Sequence, residues 1–100
     1  MVKLFSHTDL DGIGCGILAK LAFGDDVDIS YCDYDNIDSS VREFIDSGTE
    51  FDMCIITDIR VNEDTAKIIE DRFDNFYLLD HHPTALGLNK YLWCSVTIEY

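Results

Sequence analysis

Positive charge is scarce in this chain of 100 residues, in which seven lysines and arginines stand against twenty aspartates and glutamates. The formal net charge at pH 7 is −13. A net charge of this sign argues against a nucleic-acid-binding surface built from the chain's own basic side chains. It does not exclude a phosphate ligand, because bound divalent cations reverse the charge of their surroundings.

The sequence also lacks a signal peptide and any apolar run near the roughly 20 residues that span a membrane. The four cysteines, Cys15, Cys32, Cys54 and Cys94, show no CxxC spacing, and three of them lie in apolar runs. Buried free thiols of this kind are typical of cytoplasmic proteins. We therefore predict a cytoplasmic protein without a membrane partner.

Short apolar runs alternate with amphipathic stretches, and apolar residues make up 47% of the chain. We predict strands over residues 2–6, 27–33, 53–57, 75–79 and 92–98, and helices over residues 13–23, 39–47 and 62–73. This alternation predicts an α/β fold, a Rossmann-like parallel sheet of about five strands with helices on both faces. The first helix carries apolar residues on one face, at Ile13, Ile17, Leu18 and Leu21.

Ionisable side chains of the types that bind metals follow three of the predicted strands. Parallel sheets bind their ligands at the carboxyl ends of the strands, so we expect these side chains to meet there. The seven residues are His7, Asp9 and Asp11 after the first strand, Asp58 after MCIIT, and Asp80, His81 and His82 after FYLL.

The segment SHTDLDG, residues 6–12, is too long to serve one site in an extended form. His7 and Asp11 would then lie roughly 13 Å apart at about 3.3 Å per residue, whereas two catalytic ions lie about 3.5–4 Å apart. The segment must therefore curl, which Gly12 permits. The glycines of GIGCG, residues 12–16, predict a turn and close packing of the helix on the sheet, with a phosphate cradle as the alternative.

Once curled, the segment can supply ligands to two ions. We expect His7 and Asp9 on one ion, Asp11 on the second, Asp58 as a bridge between them and His81 completing the second. Carboxylate and imidazole ligands suit Mn²⁺, with Mg²⁺, Co²⁺ and Zn²⁺ as alternatives. Taken singly, the HxDxDG motif is more typical of a turn with an aspartate cap, Asp58 of a helix cap or turn residue, and the HH pair of polar surface or core residues. The occurrence of all three at strand ends favours a metal site.

The motifs SHTDLDG, TDI and LLDHHPT, in this order, resemble the first three motifs of the DHH phosphoesterase family. The HxDxD spacing resembles the branch that hydrolyses phosphodiesters, which includes single-strand exonucleases, oligoribonucleases and cyclic-dinucleotide or nucleotide phosphatases. The pyrophosphatase branch, and some cyclic-dinucleotide enzymes, place three residues between the histidine and the first aspartate. The resemblance implies the metal ligands expected above, His7, Asp9, Asp11, Asp58 and His81.

The resemblance also implies catalytic roles for three residues. Asp58 would act in catalysis in addition to bridging the two ions. His82 would meet the substrate phosphate or assist the leaving group. Asp80 would orient a histidine, a general need of metal-bound imidazoles.

The chain departs from the family pattern after residue 82. The family has a fourth motif, an aspartate that completes the first ion, and a C-terminal domain that grips the substrate. Neither is found here, so we expect residues 1–100 to be the N-terminal portion of a DHH domain, truncated before its end and weak in metal binding. Short single-stranded nucleic acid would be held through the absent domain, and apolar surface left exposed could drive formation of a homodimer.

The resulting expectation is a Mn²⁺-dependent phosphodiesterase or exonuclease, of which this chain is an incomplete fragment. The sequence does not decide whether the chain is active without the fourth motif. Its substrates would be short oligonucleotides, single-stranded nucleic acid or nucleotide derivatives, attacked by a water that two ions activate. Two alternatives remain. One is a non-catalytic metal-binding or interaction module with the same fold, and the other is an inorganic pyrophosphatase, which the spacing of His7 and Asp9 disfavours.

Overall fold

The computed structural model describes residues 1–80, 88 and 93–96, and all their side chains except those of residues 10, 11, 80, 95 and 96. The strands are β1 (Val2–His7), β2 (Val27–Cys32), β3 (Met53–Thr57), β4 (Phe76–Asp80) and β5 (Cys94–Val96). The helices are α1 (Leu10–Phe23), α2 (Ile37–Asp46) and α3 (Glu63–Arg72), and a 3-10 turn covers Gly24–Asp26. The predicted α/β order is confirmed, with boundaries that differ by up to three residues wherever both ends are described.

The described strands form one parallel sheet in the order β2-β1-β3-β4-β5. The chain runs outward from β1 to β2, then returns through α2 to β3 on the other side of β1. In sheets of this topology ligands bind where the strand order reverses, which is here the gap between the carboxyl ends of β1 and β3.

The helices cover opposite faces of the sheet, as predicted. On one face α1 packs over β1 and β2, where Val2, Leu4 and Val27 form a small buried cluster with Ala19 of the helix. On the other face α2 and α3 cover a larger core. It includes Phe5, Val41, Ile45, Cys54, Ile56, Ala66, Ile69, Phe76 and Leu78, all buried.

The helix α1 packs on the sheet through small residues. Gly12 and Gly16 are buried and Ala19 is half-buried. The apolar face that the spacing predicted points outward, with exposed fractions of 42% at Ile13, 58% at Ile17, 66% at Leu18 and 79% at Leu21. Glycines let the helix backbone approach the strands more closely than large side chains allow, and the bulky residues are left on the opposite side.

The cysteine prediction is confirmed where the chain is described. Cys32, Cys54 and Cys94 are buried free thiols, and Cys15 is half-buried and also free. Burial raises the pKa of the Cys54 and Cys94 thiols to about 12, so both stay protonated at neutral pH. No helix in the described part of the chain has the length and apolar composition of a membrane crossing.

Candidate metal centre

The end of β1 holds His7 in a fixed position. His7 pairs with Cys32 of β2 in the sheet, and the Thr8 amide extends the pairing by donating to the Cys32 carbonyl at 3.1 Å. Only 15% of the His7 side chain is exposed. The imidazole therefore lies at the carboxyl edge of the sheet on a rigid strand.

Asp9 joins β1 to α1 and serves both as a cap and as a member of the site. Its backbone is extended, and its Oδ1 accepts a hydrogen bond from the Gly12 amide at 2.9 Å, which satisfies a free N–H of the first helical turn. Its Oδ2 lies 2.8 Å from Nδ1 of His7. The Gly12 amide lowers the pKa of the Asp9 carboxyl to about 2, with Asp58 and His7 acting in the same direction.

Asp58 follows β3 directly in a left-handed backbone conformation, with a φ of 60°. Its amide donates to the carbonyl of Leu79 on β4 at 3.1 Å. Ile59 and Val61, which follow it, are fully buried. These contacts hold Asp58 in a conformation that costs a non-glycine residue about 1–3 kcal/mol, and such residues cluster at functional sites.

The side chains of His7, Asp9 and Asp58 converge, with one ligand atom from each lying within 4.8 Å of the others. Asp58 is 4% exposed. Nδ1 of His7 is buried, and Oδ2 of Asp9 lies beside it without the geometry of a hydrogen bond. Two ligands about 2.1 Å from one octahedral ion lie about 3.0 Å apart, so this pair has the spacing of two ligands on one cation. These residues therefore fit a divalent metal.

A hydrogen bond between two hydroxyls, on the buried Ser6 and the half-buried Thr57, joins the ends of β1 and β3. Thr57 Oγ1 donates to Ser6 Oγ at 3.0 Å. Ser6 Oγ is within donating distance of the Gly12 carbonyl, at 3.0 Å, and of the Thr57 carbonyl, at 3.2 Å. Because Ser6 precedes His7 and Thr57 precedes Asp58, these bonds set the separation of the two strand ends.

Gly12 is required by a close approach and not by a special backbone angle, since its φ is not positive. A Cβ at this position would lie 1.8 Å from the carbonyl oxygen of His7. At Gly16 an added Cβ would meet the Tyr31 hydroxyl, whereas at Gly14 it would meet nothing within 4 Å. The prediction of close packing is therefore confirmed for Gly12 and Gly16.

An aromatic side chain from the loop between β2 and α2 also reaches the centre. The ring of Tyr34 lies 4.9 Å from the ring of His7, measured between centroids, at an interplanar angle of 48°. Tyr34 is 52% exposed. It therefore borders the centre while keeping half of its surface open to solvent.

The structure brings together three of the predicted site residues, His7, Asp9 and Asp58. The backbone of Asp11 lies in the first turn of α1 and that of Asp80 ends β4, where it pairs with Val96. Their side chains, and residues 81 and 82 entirely, lie outside the described part of the chain. The second ion and the roles of Asp11, Asp80, His81 and His82 stay predictions.

Sequence reasoning missed Ser6, Thr57 and Tyr34. The one local signal for the hydroxyls is a polar residue directly before a predicted ligand at the end of an apolar strand. Tyr34 carries no such signal, because its contact with His7 depends on how the loop after β2 folds back.

A comparison with curated proteins finds similarity to a protein of Bacillus subtilis (strain 168) named oligoribonuclease NrnB. The two are 43% identical over 110 aligned positions, which take in all of this chain and 27% of the relative. The chain thus spans about a quarter of the relative's length. No family model matches the chain, and no solved structure matches it either.

Proposed function

We propose that this chain is a DHH-type phosphoesterase sequence and carries the metal-binding part of an active site that hydrolyses phosphodiester bonds. The observation that carries the proposal is the convergence of His7, Asp9 and Asp58 at the carboxyl edge of the sheet, at the reversal of strand order. The similarity to a protein named as an oligoribonuclease supports short oligoribonucleotides as the substrate class. Related single-stranded nucleic acids and nucleotide derivatives share the same chemistry.

The donor set of two carboxylates and one imidazole suits Mn²⁺, with Mg²⁺, Co²⁺ and Zn²⁺ as alternatives. In this proposal His7, Asp9 and Asp58 hold the first ion and Asp58 is shared with the second. Two such ions, when bound, supply a water of lowered pKa and neutralise charge on the phosphoryl oxygens. This supply of positive charge is what lets a chain with a net charge of −13 accept a phosphate.

The remaining predicted residues complete the proposed site. Asp11 and His81 are assigned to the second ion. His82 is assigned to the leaving oxygen, to which it would donate a proton, and Asp80 to orienting a histidine by accepting its ring N–H. The pairing of β4 with β3 supports this assignment, because residues 80–82 directly follow Leu79, whose carbonyl accepts the Asp58 amide.

The test begins with metal binding. Mn²⁺ is titrated by calorimetry into the wild-type chain, Asp58→Ala, and the control Asp74→Ala, which removes an exposed carboxylate. We expect the wild type and the control to bind Mn²⁺ alike and Asp58→Ala to lose more than about tenfold in affinity. Binding that Asp58→Ala leaves unchanged would contradict the proposed centre.

Turnover is then measured on the Mn²⁺-loaded chain with a five-nucleotide RNA and with inorganic pyrophosphate. Release of mononucleotides from the RNA supports the phosphodiesterase. Mn²⁺ binding without cleavage of either compound supports the metal centre alone, because an incomplete active site and a metal-binding module both give this result. Cleavage of pyrophosphate alone favours the pyrophosphatase. A cytoplasmic location belongs to the same proposal and rests on the free cysteines.

A further inference from the structure

We propose that Tyr34 is a stacking platform for the nucleobase of a substrate whose phosphate lies at the metal centre. The inference rests on the proposed function and extends it, because it assigns the chain a contact with the base as well as with the phosphate. It would make Tyr34 a residue that favours nucleotides over other phosphate esters.

The position of Tyr34 is the first observation. Its ring lies 4.9 Å from that of His7, so it borders the ligand cluster directly. A nucleobase is one ribose away from its phosphate, and an aromatic ring beside the phosphate site lies within that reach. Aromatic rings stack on any of the bases, since every base has a π face.

The exposure of Tyr34 is the second observation. Tyr34 keeps 52% of its surface open to solvent, although the imidazole that it contacts is 15% exposed. A stacked base could cover that exposed part of the side chain.

The loop that carries Tyr34 is ordered by its own polar side chains. Oδ1 of Asp33 accepts hydrogen bonds from the amides of Asp35 and Asn36, at 3.0 and 3.2 Å. Oδ1 of Asn36 accepts from the Asp33 amide at 2.9 Å in return. These bonds hold the backbone on both sides of Tyr34, so a ligand that stacks there does not need to order the loop.

The charge of the chain adds a reason for stacking. Acidic residues flank Tyr34 at Asp33 and Asp35, and the whole chain carries a net charge of −13. Positively charged side chains cannot supply much of the affinity for a nucleotide here. Stacking is an attraction that does not depend on that charge.

The experiment compares adenosine 5′-monophosphate with ribose 5-phosphate, which lacks the base, as ligands of the Mn²⁺-loaded chain. Calorimetry is run on the wild type, Tyr34→Phe, Tyr34→Leu and the control Tyr77→Leu, which removes an aromatic ring that is 46% exposed on β4. Mn²⁺ affinity is measured for each variant as well.

We expect the wild type to prefer the nucleotide by about tenfold, which is within the range for one stacked base. Tyr34→Phe and Tyr77→Leu should keep the preference, and Tyr34→Leu should lose it, with Mn²⁺ affinity equal in all four. Equal affinity of the wild type for the two ligands would overturn the inference and leave the proposed function standing. A preference for the nucleotide that persists in Tyr34→Leu would also overturn the inference. The same holds if Tyr34→Leu loses Mn²⁺ affinity and binds both ligands more weakly by the same factor. Failure of the Mn²⁺-loaded wild type to bind either ligand would overturn both.

Discussion

Thr57 Oγ1 donates a hydrogen bond to Ser6 Oγ across 3.0 Å, and this contact links β3 to β1 just before Asp58 and His7. Ser6 is fully buried and lies 3.0 Å from the Gly12 carbonyl, so the same hydroxyl also reaches the first turn of α1. The three segments that supply the candidate ligands therefore meet at one side chain.

Replacing this hydroxyl by Ser6→Ala should weaken both the fold and the centre. Loss of Oγ leaves the half-buried Thr57 hydroxyl without its acceptor, and the loss of such a hydrogen bond costs about 0.5–1.5 kcal/mol, measurable by urea unfolding. Mn²⁺ affinity should fall by about tenfold in calorimetry, as when other residues that position ligands are removed. The exposed Ser39→Ala is the control. Unchanged Mn²⁺ affinity with lowered stability would limit the hydroxyl to a structural role.

Substitution by alanine at Gly12 and at Gly14 of α1 should change the free energy of unfolding in opposite directions. Gly12→Ala puts a Cβ against the His7 backbone and should lower the free energy of unfolding by about 1–3 kcal/mol or more. Gly14→Ala meets nothing within 4 Å and should raise it by about 0.5–1 kcal/mol, because alanine favours the helix. Denaturant unfolding of the two variants decides this. Equal effects would contradict the close approach of α1 to His7.

The substitution Asp58→Asn should abolish the stabilisation of the fold by Mn²⁺ without destabilising the metal-free chain. Asparagine tolerates the left-handed backbone of Asp58 and matches its size, so the melting temperature without metal should change by less than about 4–8 °C, the shift that corresponds to about 1 kcal/mol. Millimolar Mn²⁺ should raise the melting temperature of the wild type and of the exposed control Asp74→Asn, but not that of Asp58→Asn. A variant that Mn²⁺ still stabilises would argue against Asp58 as a ligand.

Alanine substitutions at Leu21 and Leu78 test which face of α1 is exposed and how much the buried core contributes to stability. Leu78 is fully buried and Leu21 is 79% exposed. Leu78→Ala should cost about 2–5 kcal/mol through lost burial and the cavity left behind. Leu21→Ala should change stability by less than about 0.5 kcal/mol, as is usual at the surface. Comparable losses in denaturant unfolding would mean that the outer face of α1 is covered in solution.

The elements could be predicted well from local patterns, and their ends less well. The apolar run of β3 was predicted with the observed bounds, Met53–Thr57. The start of α1 was placed three residues late, at the first apolar residue of the helical spacing, whereas Asp9 caps a helix that begins at Leu10. The apolar spacing in α1 was observed correctly but did not reveal which side faces the sheet, because small residues at Gly12, Gly16 and Ala19 make the contact.

The amino-acid order alone was enough for the parallel α/β fold and for the ends of strands as the location of the candidate ligands. Both follow from hydrophobic periodicity and from polar residues next to it, which are local properties. The distance between His7 and Asp58, the hydroxyl bond between Ser6 and Thr57 and the contact of Tyr34 with His7 required the folded chain. Ser6 and Thr57 are 51 positions apart, and it is the pairing of β1 with β3 that brings them together. Strand register and loop conformation depend on contacts between distant segments, and no local pattern contains them.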